Sequence, residues 1–517
     1  MQITLKRSFY TATTLSPRQA TAMNMPTATR QPVSTPDLTA FVDEQWDQTI
    51  IPALTDYITI PAKSPMFDAD WSAHGLLDKV VCDAAAWVEA QKVQGLKLEV
   101  LRLPGRTPLL FFEVASTHTS DTRAAGNTGT VLLYGHLDKQ PEFNGWRNGL
   151  GPWTPKLENG LLYGRGGADD GYAVYAAITA IQALQRQGLP HPRCVGVIES
   201  CEESGSGDLP AYLGVLQARL GDVALVVCLD SGAGNYDQLW LTTSLRGMVS
   251  GVLKVEILSE GVHSGDASGV VPSSFRILRQ VLDRLEDSKT GRLLPQSLHC
   301  EIPAERIQQM RVTAKILGEH AWRGFPWACG ADGQPTLPTT TDPLEALLNR
   351  TWRPTLSLTG VDGLPPMNNA GNVLRPHTAF KLSLRLPPLV DAAQAAQELK
   401  TLLEDNAPYN AKVTFQADGR AGAAGATGWN APQLSTWLEQ ALHHASRDHF
   451  NAPCATVGQG GTIPLMNLLQ TQFPQAQMMV CGVLGPKSNA HGPNEFLHIA
   501  YGKKLTAAVA QVIAACP

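Results

Sequence analysis

The chain has 517 residues, with 46 acidic against 41 basic side chains and a formal net charge of -5. That length provides for more than one domain with sizeable cores, and the slightly acidic balance gives no basic footprint for nucleic acid. No apolar run is long enough to span a bilayer, so neither a nucleic-acid nor a membrane partner is expected.

Residues 1–36 are rich in Ser, Thr, Ala and Pro, carry Lys6, Arg7, Arg18 and Arg30, and contain no acid. This composition predicts a disordered leader rather than a packed element. An organelle-type transit peptide is the alternative, Met23 and Met25 leave a downstream start open, and the cytoplasm is the expected compartment.

From 37 to 245 helical and strand patterns alternate, predicting a doubly wound α/β layer. Thr130–Tyr134, Val195–Glu199 and Val223–Leu229, with Met478–Val483 much later, are short aliphatic runs that read as buried strands. Val174, Ala177, Ile178, Ile181 and Leu184 follow helical spacing. Over 246–427 the pattern changes. Leu253, Val255 and Ile257 alternate with charged residues, Phe275, Leu278, Leu282 and Leu285 predict a helix face, Phe380–Leu386 alternates again and Gln394–Leu403 predicts another helix. These form an inserted α+β domain, with Thr336–Asp342 as a surface excursion and Gly419–Gly428 as the return linker. Over 428–517, Leu434, Trp437, Leu438 and Leu442, then Leu505, Val509, Val512 and Ile513, predict two helices that complete a discontinuous first domain.

Each of the four buried strands is followed by a candidate ligand: His136, Glu203, Asp230 and His491. The carboxyl ends of strands in an open α/β sheet form the functional crevice. His136 and Asp138 lie two apart, so in an extended segment the carboxylate can orient the imidazole. Asp169 stands between a Gly-rich turn and a helix start, where one carboxylate can be held to two cations. Neighbouring side chains diverge, so of Glu202 and Glu203 one can ligate while the other serves as general base. Singly, each motif is bland: a histidine at a strand end is more often a core or surface residue, and paired glutamates are usually a solvated face. The Gly-rich turn lacks the spacing of a phosphate loop, and its Asp-Asp would repel phosphate. Together they supply a carboxylate-bridged pair of divalent metals, which points to a hydrolase.

The nine cysteines lack CxxC spacing, and several fall inside apolar runs, so free buried thiols in a reducing compartment are expected. Cys201 beside Glu202 is the alternative nucleophile, but adjacent carboxylates disfavour its thiolate.

In order along residues 40–515, the segments Gly135-His136-Leu137-Asp138, Leu162-Tyr163-Gly164-Arg165-Gly166 with Asp169-Asp170, Glu202-Glu203-Ser204-Gly205-Ser206, Asp230, His263-Ser264-Gly265, Gly460-Gly461-Thr462-Ile463-Pro464 and Ala490-His491-Gly492-Pro493-Asn494-Glu495 resemble the M20 metallopeptidases, and most of all their cytosolic dipeptidase and carnosinase branch. The resemblance implies that His136 and Asp230 hold one metal, Glu203 and His491 the other, and that Asp169 bridges them. It further implies Glu202 as the base toward water, Asp138 as the residue that orients His136, and a cis peptide between Asp169 and Asp170. Two divalent ions are expected, zinc first, with manganese or cobalt also suited to the mixed N/O set.

The insertion would be a lid and dimerisation domain of a homodimer. His263 would polarise the scissile carbonyl in the partner's site, Arg385 would clamp the substrate carboxylate, Asn372 would donate to the oxyanion, and Gly460, Gly461 and Thr462 would line the cleft. Relatives commonly have Lys-Gly after the Asp pair and an acid before the lid histidine; here Gly171-Tyr172 and Val262 stand there. The expected activity is hydrolysis of dipeptides or short peptides. An N-acyl or N-carbamoyl amino acid amidohydrolase on the same scaffold, or a non-catalytic metal- or peptide-binding protein, are the alternatives.

Overall fold

In the computed structural model, residues 33–118, 129–419, 425–461 and 464–517 are described. The leader expected over 1–36 lies mostly outside them, as do Thr462 and part of the return linker. A helix already begins at Thr35, with Leu38 and Val42 buried on its inner face.

The central sheet has six strands in the spatial order Leu96–Leu101, Leu109–Val114, Cys194–Glu199, Thr130–His136, Val223–Cys228, Gln477–Val480. The last four run parallel, and the first two form an antiparallel hairpin on one edge. Every residue of Thr130–His136 and of Cys194–Glu199 is buried, as continuous aliphatic runs in a parallel sheet covered on both faces should be. The chain leaves Thr130–His136 toward Cys194–Glu199 on one side, and leaves Val223–Cys228 in the other direction. The crevice between these two strand ends is therefore a topological switch point.

The helix Ala173–Arg186 packs against this sheet with eleven buried residues. Gly135 permits its close approach: a Cβ there would sit 2.6 Å from the Ala173 Cβ and 2.8 Å from Asp170 Oδ2. The helices Thr436–Phe450 and Ile499–Ala515 return to the same core, where Leu438, Leu442, Leu505, Val509, Val512 and Ile513 are buried.

A second sheet, ordered Thr355–Asp362, His377–Leu386, Gly247–Glu256, Lys412–Ala417, belongs to the insertion. Val249, Leu253, Val255, Leu382 and Leu384 line its inner face, and the helices Ser274–Leu282 and Ala392–Glu404 cover it to form a separate core. The expected helix face holds at Leu278, Leu282 and Leu285 and fails at one residue: Ile277 and Val281 join the buried side, whereas Phe275 is 41 % exposed and meets the Phe380 ring edge-on. The helices Ala304–Leu317 and Pro343–Thr351 also depart from a self-contained insertion, because Met310, Leu317, Leu347 and Leu348 pack into the main core.

Candidate metal centre

The four strands expected to deliver ligands are consecutive in the sheet. His136 is the last residue of its strand and is 1 % exposed. Its Nδ1 lies 3.1 Å from the backbone oxygen of Asp138. A carbonyl can only accept, so this contact puts the proton on Nδ1 and leaves the Nε2 lone pair facing inward. Nε2 is buried with no hydrogen-bond partner among the described residues, 3.5 Å from Asp169 Oδ1 and 3.8 Å from Asp230 Oδ1. Asp169 turns its other oxygen to His491, with Oδ2 2.9 Å from Nε2, and Glu203 Oε2 stands 3.5 Å from the same nitrogen. Asp169 thus faces one histidine with each oxygen. The peptide bond between Asp169 and Asp170 is cis.

The Asp138 carboxylate does more than spacing suggested. It lies 3.5 Å from His136 Nδ1 while its two oxygens accept the backbone N–H groups of Glu202 at 3.1 Å and Glu203 at 2.9 Å. The backbone of residue 138 orients the imidazole, and the side chain pins the glutamate turn. Gln140 Nε2 then donates to Glu203 Oε2 at 2.5 Å, the same oxygen that faces His491. Among the described residues nothing hydrogen-bonds the Glu202 carboxylate.

Burial pushes Glu202 and Glu203 up, reinforced chiefly by Asp230 for the first and by Asp169 for the second. Burial also raises Asp230, against the pull of His136. Desolvation would raise Asp169 too, but the neighbouring His136 and His491 imidazoles outweigh it and hold this carboxyl low. Burial would lower His136, but Asp138 first, then Asp169 and Asp230, overcome it and raise this imidazole. So many acids around an imidazole nitrogen without a partner suit a divalent cation. His136, Asp169 and Glu203 offer ligand atoms within 4.8 Å of one another, and so do His136, Asp170 and Asp230. Asp170 had no role in the sequence reading; its carboxylate also accepts the His136 N–H at 3.3 Å.

The family model of "Peptidase family M20/M25/M40" matches residues 132–515. The chain belongs to that family. It is a metallopeptidase. It is similar to the cysteinylglycine-S-conjugate dipeptidase of Corynebacterium striatum, 29% identical over 81% of this chain and 88% of that one. It is also similar to the Cys-Gly metallodipeptidase of Saccharomyces cerevisiae, 26% identical over 75% of this chain and 80% of the relative. The solved structure of human carnosine dipeptidase 1 shares the fold at a TM-score of 0.72 and 20% identity, covering 93% of this chain and 99% of that one.

The remaining predicted residues fall in two further groups. His263 and Asn372 come together, since Val262–His263 pairs with Val373–Leu374 and the Ser264 N–H donates to the Asn372 backbone oxygen at 3.0 Å. Among the described residues no hydrogen bond or ion pair joins them to the metal cluster, and the His263 side chain is 68% exposed. Arg385 stands opposite Thr355 in the insertion sheet, where burial depresses its guanidinium.

Thr355 Oγ1 accepts from Arg246 at 3.0 Å, and Arg246 Nε donates to the Gly460 oxygen at 3.2 Å. Burial, then Arg385 and Arg350, push Arg246 down to about 10. Gly460 therefore lies beside a cationic group that includes Arg385, Gly461 is exposed, and Thr462 is outside the described residues. Arg246 and Gln140 escaped the sequence reading, since neither stands in a ligand-like spacing. Cys201 is no nucleophile: burial foremost, then Asp138 and Glu199, push its thiol up to about 12.

Proposed function

We propose that this metallopeptidase is a dipeptidase, with His136, Asp230 and Asp169 holding one divalent ion and Glu203, His491 and Asp169 the other. The observation that carries this reading is Asp169, whose two oxygens each face a different histidine, one of them with a buried nitrogen that has no hydrogen-bond partner among the described residues. Bound there, a pair of zinc ions supplies Lewis acidity and a water acidified toward neutral pH; manganese or cobalt suits the same ligands.

Glu202 takes the proton of the attacking water and returns it to the leaving amine. Burial, reinforced by Asp230, raises its proton affinity above that of an ordinary carboxylate, the direction in which a carboxylate becomes a stronger base. Asp138 keeps Glu202 and Glu203 in register by holding both backbones. Arg385 receives the substrate carboxylate, with Gly460, Gly461 and Thr462 along the cleft. His263 polarises the scissile carbonyl of the neighbouring subunit's site, and Asn372 donates to the oxyanion.

A homodimer is supported by the insertion sheet, whose edge strand Thr355–Asp362 leaves Leu358 51% and Val361 58% exposed. An open apolar edge invites pairing with another chain. Residues 246–427 act as lid and dimerisation domain, and 37–245 with 428–517 as the catalytic domain. Nine cysteines, none in a disulfide, support a reducing, cytoplasmic setting, and among the described residues no helix is long and apolar enough to cross a membrane.

The dipeptidase names of the relatives support the substrate class. A dipeptide panel with zinc, manganese or cobalt, run beside N-acetylated counterparts, tests it. Turnover of free dipeptides with loss on N-blocking is expected; faster cleavage of the blocked set would refute the dipeptidase reading in favour of an acyl-amino-acid hydrolase.

A further inference from the structure

The two metal-facing histidines are held in different ways. His136 ends a buried strand that is paired on both sides and is itself paired with Glu199. His491 lies in an irregular loop between Gln477–Val480 and Phe496–His498, its side chain 54% exposed. The loop contains Lys487, Asn489, His491 and Asn494, all at positive φ, with His491 at 64°. A non-glycine residue keeps that conformation only where its surroundings determine it.

Beside the loop's local hydrogen bonds and the Arg147 N–H that Asn494 Oδ1 accepts at 2.7 Å, those surroundings contain one buried arginine and one buried glutamate. Arg165 is 1% exposed and Glu495 is fully buried. Arg165 Nη2 donates to the backbone oxygens of His491 at 3.1 Å and Gly492 at 2.9 Å, Nη1 donates to Glu495 Oε2 at 2.5 Å, and Nε donates to the Pro141 oxygen at 3.2 Å. Glu495 closes the circuit by accepting the Gly166 N–H on Oε1 at 2.9 Å, and its backbone oxygen accepts the Gly164 N–H at 3.0 Å. A single planar fork thus ties the His491 loop to the turn that carries Asp169 and to the segment after His136, where Gln140 reaches Glu203. Burying an ion pair is a poor route to stability compared with apolar packing, whereas a guanidinium fixes the directions of several partners at once.

We propose that Arg165 and Glu495 are positioning residues that place His491 against Asp169 and Glu203 and so set the affinity of the Glu203/His491 metal position, leaving the His136/Asp230 position nearly untouched. The inference rests on the ligand assignment proposed above. A lysine at 165 keeps the charge for Glu495 but offers a compact ammonium instead of a fork, so it cannot reach all four oxygens. Replacing both partners by neutral groups removes the fork without stranding a buried charge.

The test uses the metal-depleted full chain titrated with Co2+, followed by visible absorption and by metal content at fixed free Co2+, with thermal unfolding as a control on the fold. Wild type is expected to take up two ions per chain and His491→Ala one. Arg165→Lys is expected to weaken only the second ion, by about 10–100-fold, the usual effect of removing a group that holds a ligand in place. The paired variant Arg165→Met/Glu495→Gln is expected to approach His491→Ala. Wild-type affinity for both ions in Arg165→Lys, or equal weakening of both, overturns the positioning role, and Arg165→Lys decides the matter if the paired variant does not fold. Wild type with a single ion, or His491→Ala retaining two, refutes the ligand assignment and the inference with it.

Discussion

Asp138→Asn separates two tasks that the sequence ran together. The imidazole of His136 is oriented by the backbone oxygen of residue 138, which no substitution removes. The carboxylate, fully buried, accepts one N–H from each of Glu202 and Glu203. An asparagine keeps one acceptor and turns an NH2 toward the other N–H. One charge-assisted hydrogen bond is lost, at about 1.5–3 kcal/mol, and a buried donor is left unpaired, at about 1–3 kcal/mol. If that loss of roughly 3–6 kcal/mol falls on the geometry needed in the transition state, kcat/KM drops by about 10²–10⁴, at about 1.4 kcal/mol per decade. Steady-state kinetics on a cleaved dipeptide, with metal content measured alongside, provides the assay. The His136/Asp230 ion should stay. Activity within threefold of wild type would show that the glutamate turn does not depend on this carboxylate, and loss of the first ion with the second retained would return Asp138 to the role of imidazole orienter.

Glu202→Gln should keep both metals and lose turnover by about 10²–10⁴ or more, the contribution of a positioned general base; metal analysis and single-turnover kinetics check this, and loss of an ion would reverse the roles of the two glutamates. Asp169→Ala should weaken both metal positions together, because it removes the carboxylate that turns one oxygen to each histidine and screens two neighbouring dications; calorimetric metal titration that finds one site intact would exclude a bridge. Mixing inactive His263→Ala and Glu202→Gln subunits should restore part of the activity if His263 serves the partner's site, since a mixed dimer holds one site with both groups intact; no recovery in demonstrably mixed dimers would place His263 outside catalysis in trans.

The parallel strands and their ligands were legible because both signals are local. A fully buried strand is a short aliphatic run, and a ligand at its carboxyl end follows within a few residues, as at His136, Glu203 and Asp230. His491 lies eleven residues past its strand, and it was found through the Ala490–Glu495 resemblance rather than through periodicity. Long-range assignments were harder. On the helix Ser274–Leu282 the expected face held at Leu278 and Leu282 and failed at Phe275, because the packed sheet also draws in Ile277 and Val281. Nothing in the apolar spacing of Ala304–Leu317 says which of two cores it will join, and the chain sends Met310 and Leu317 to the main one.

The same reasoning explains why the supporting residues were missed while the ligands were found. Arg165 and Glu495 are 330 positions apart, and each stands in a motif whose glycines and histidine draw the eye first. Gln140 is an ordinary polar residue until Glu203 arrives 63 positions later to take its hydrogen bond. Its effect is nonetheless chemical. Glu202 and Glu203 start with the same side chain, the same anchoring carboxylate behind their backbones and the same burial-driven rise in proton affinity. What separates them is that Gln140 commits Glu203 toward His491, while the Glu202 carboxylate has no such partner among the described residues. A carboxylate already held at one oxygen makes a stationary ligand, and one without a fixed partner is free to move a proton between water and amine. If that distinction assigns the two roles, Gln140→Leu should reduce the affinity of the Glu203/His491 position while leaving the pH dependence set by Glu202 in place. A shifted pH profile with unchanged metal uptake would show instead that Gln140 tunes the base.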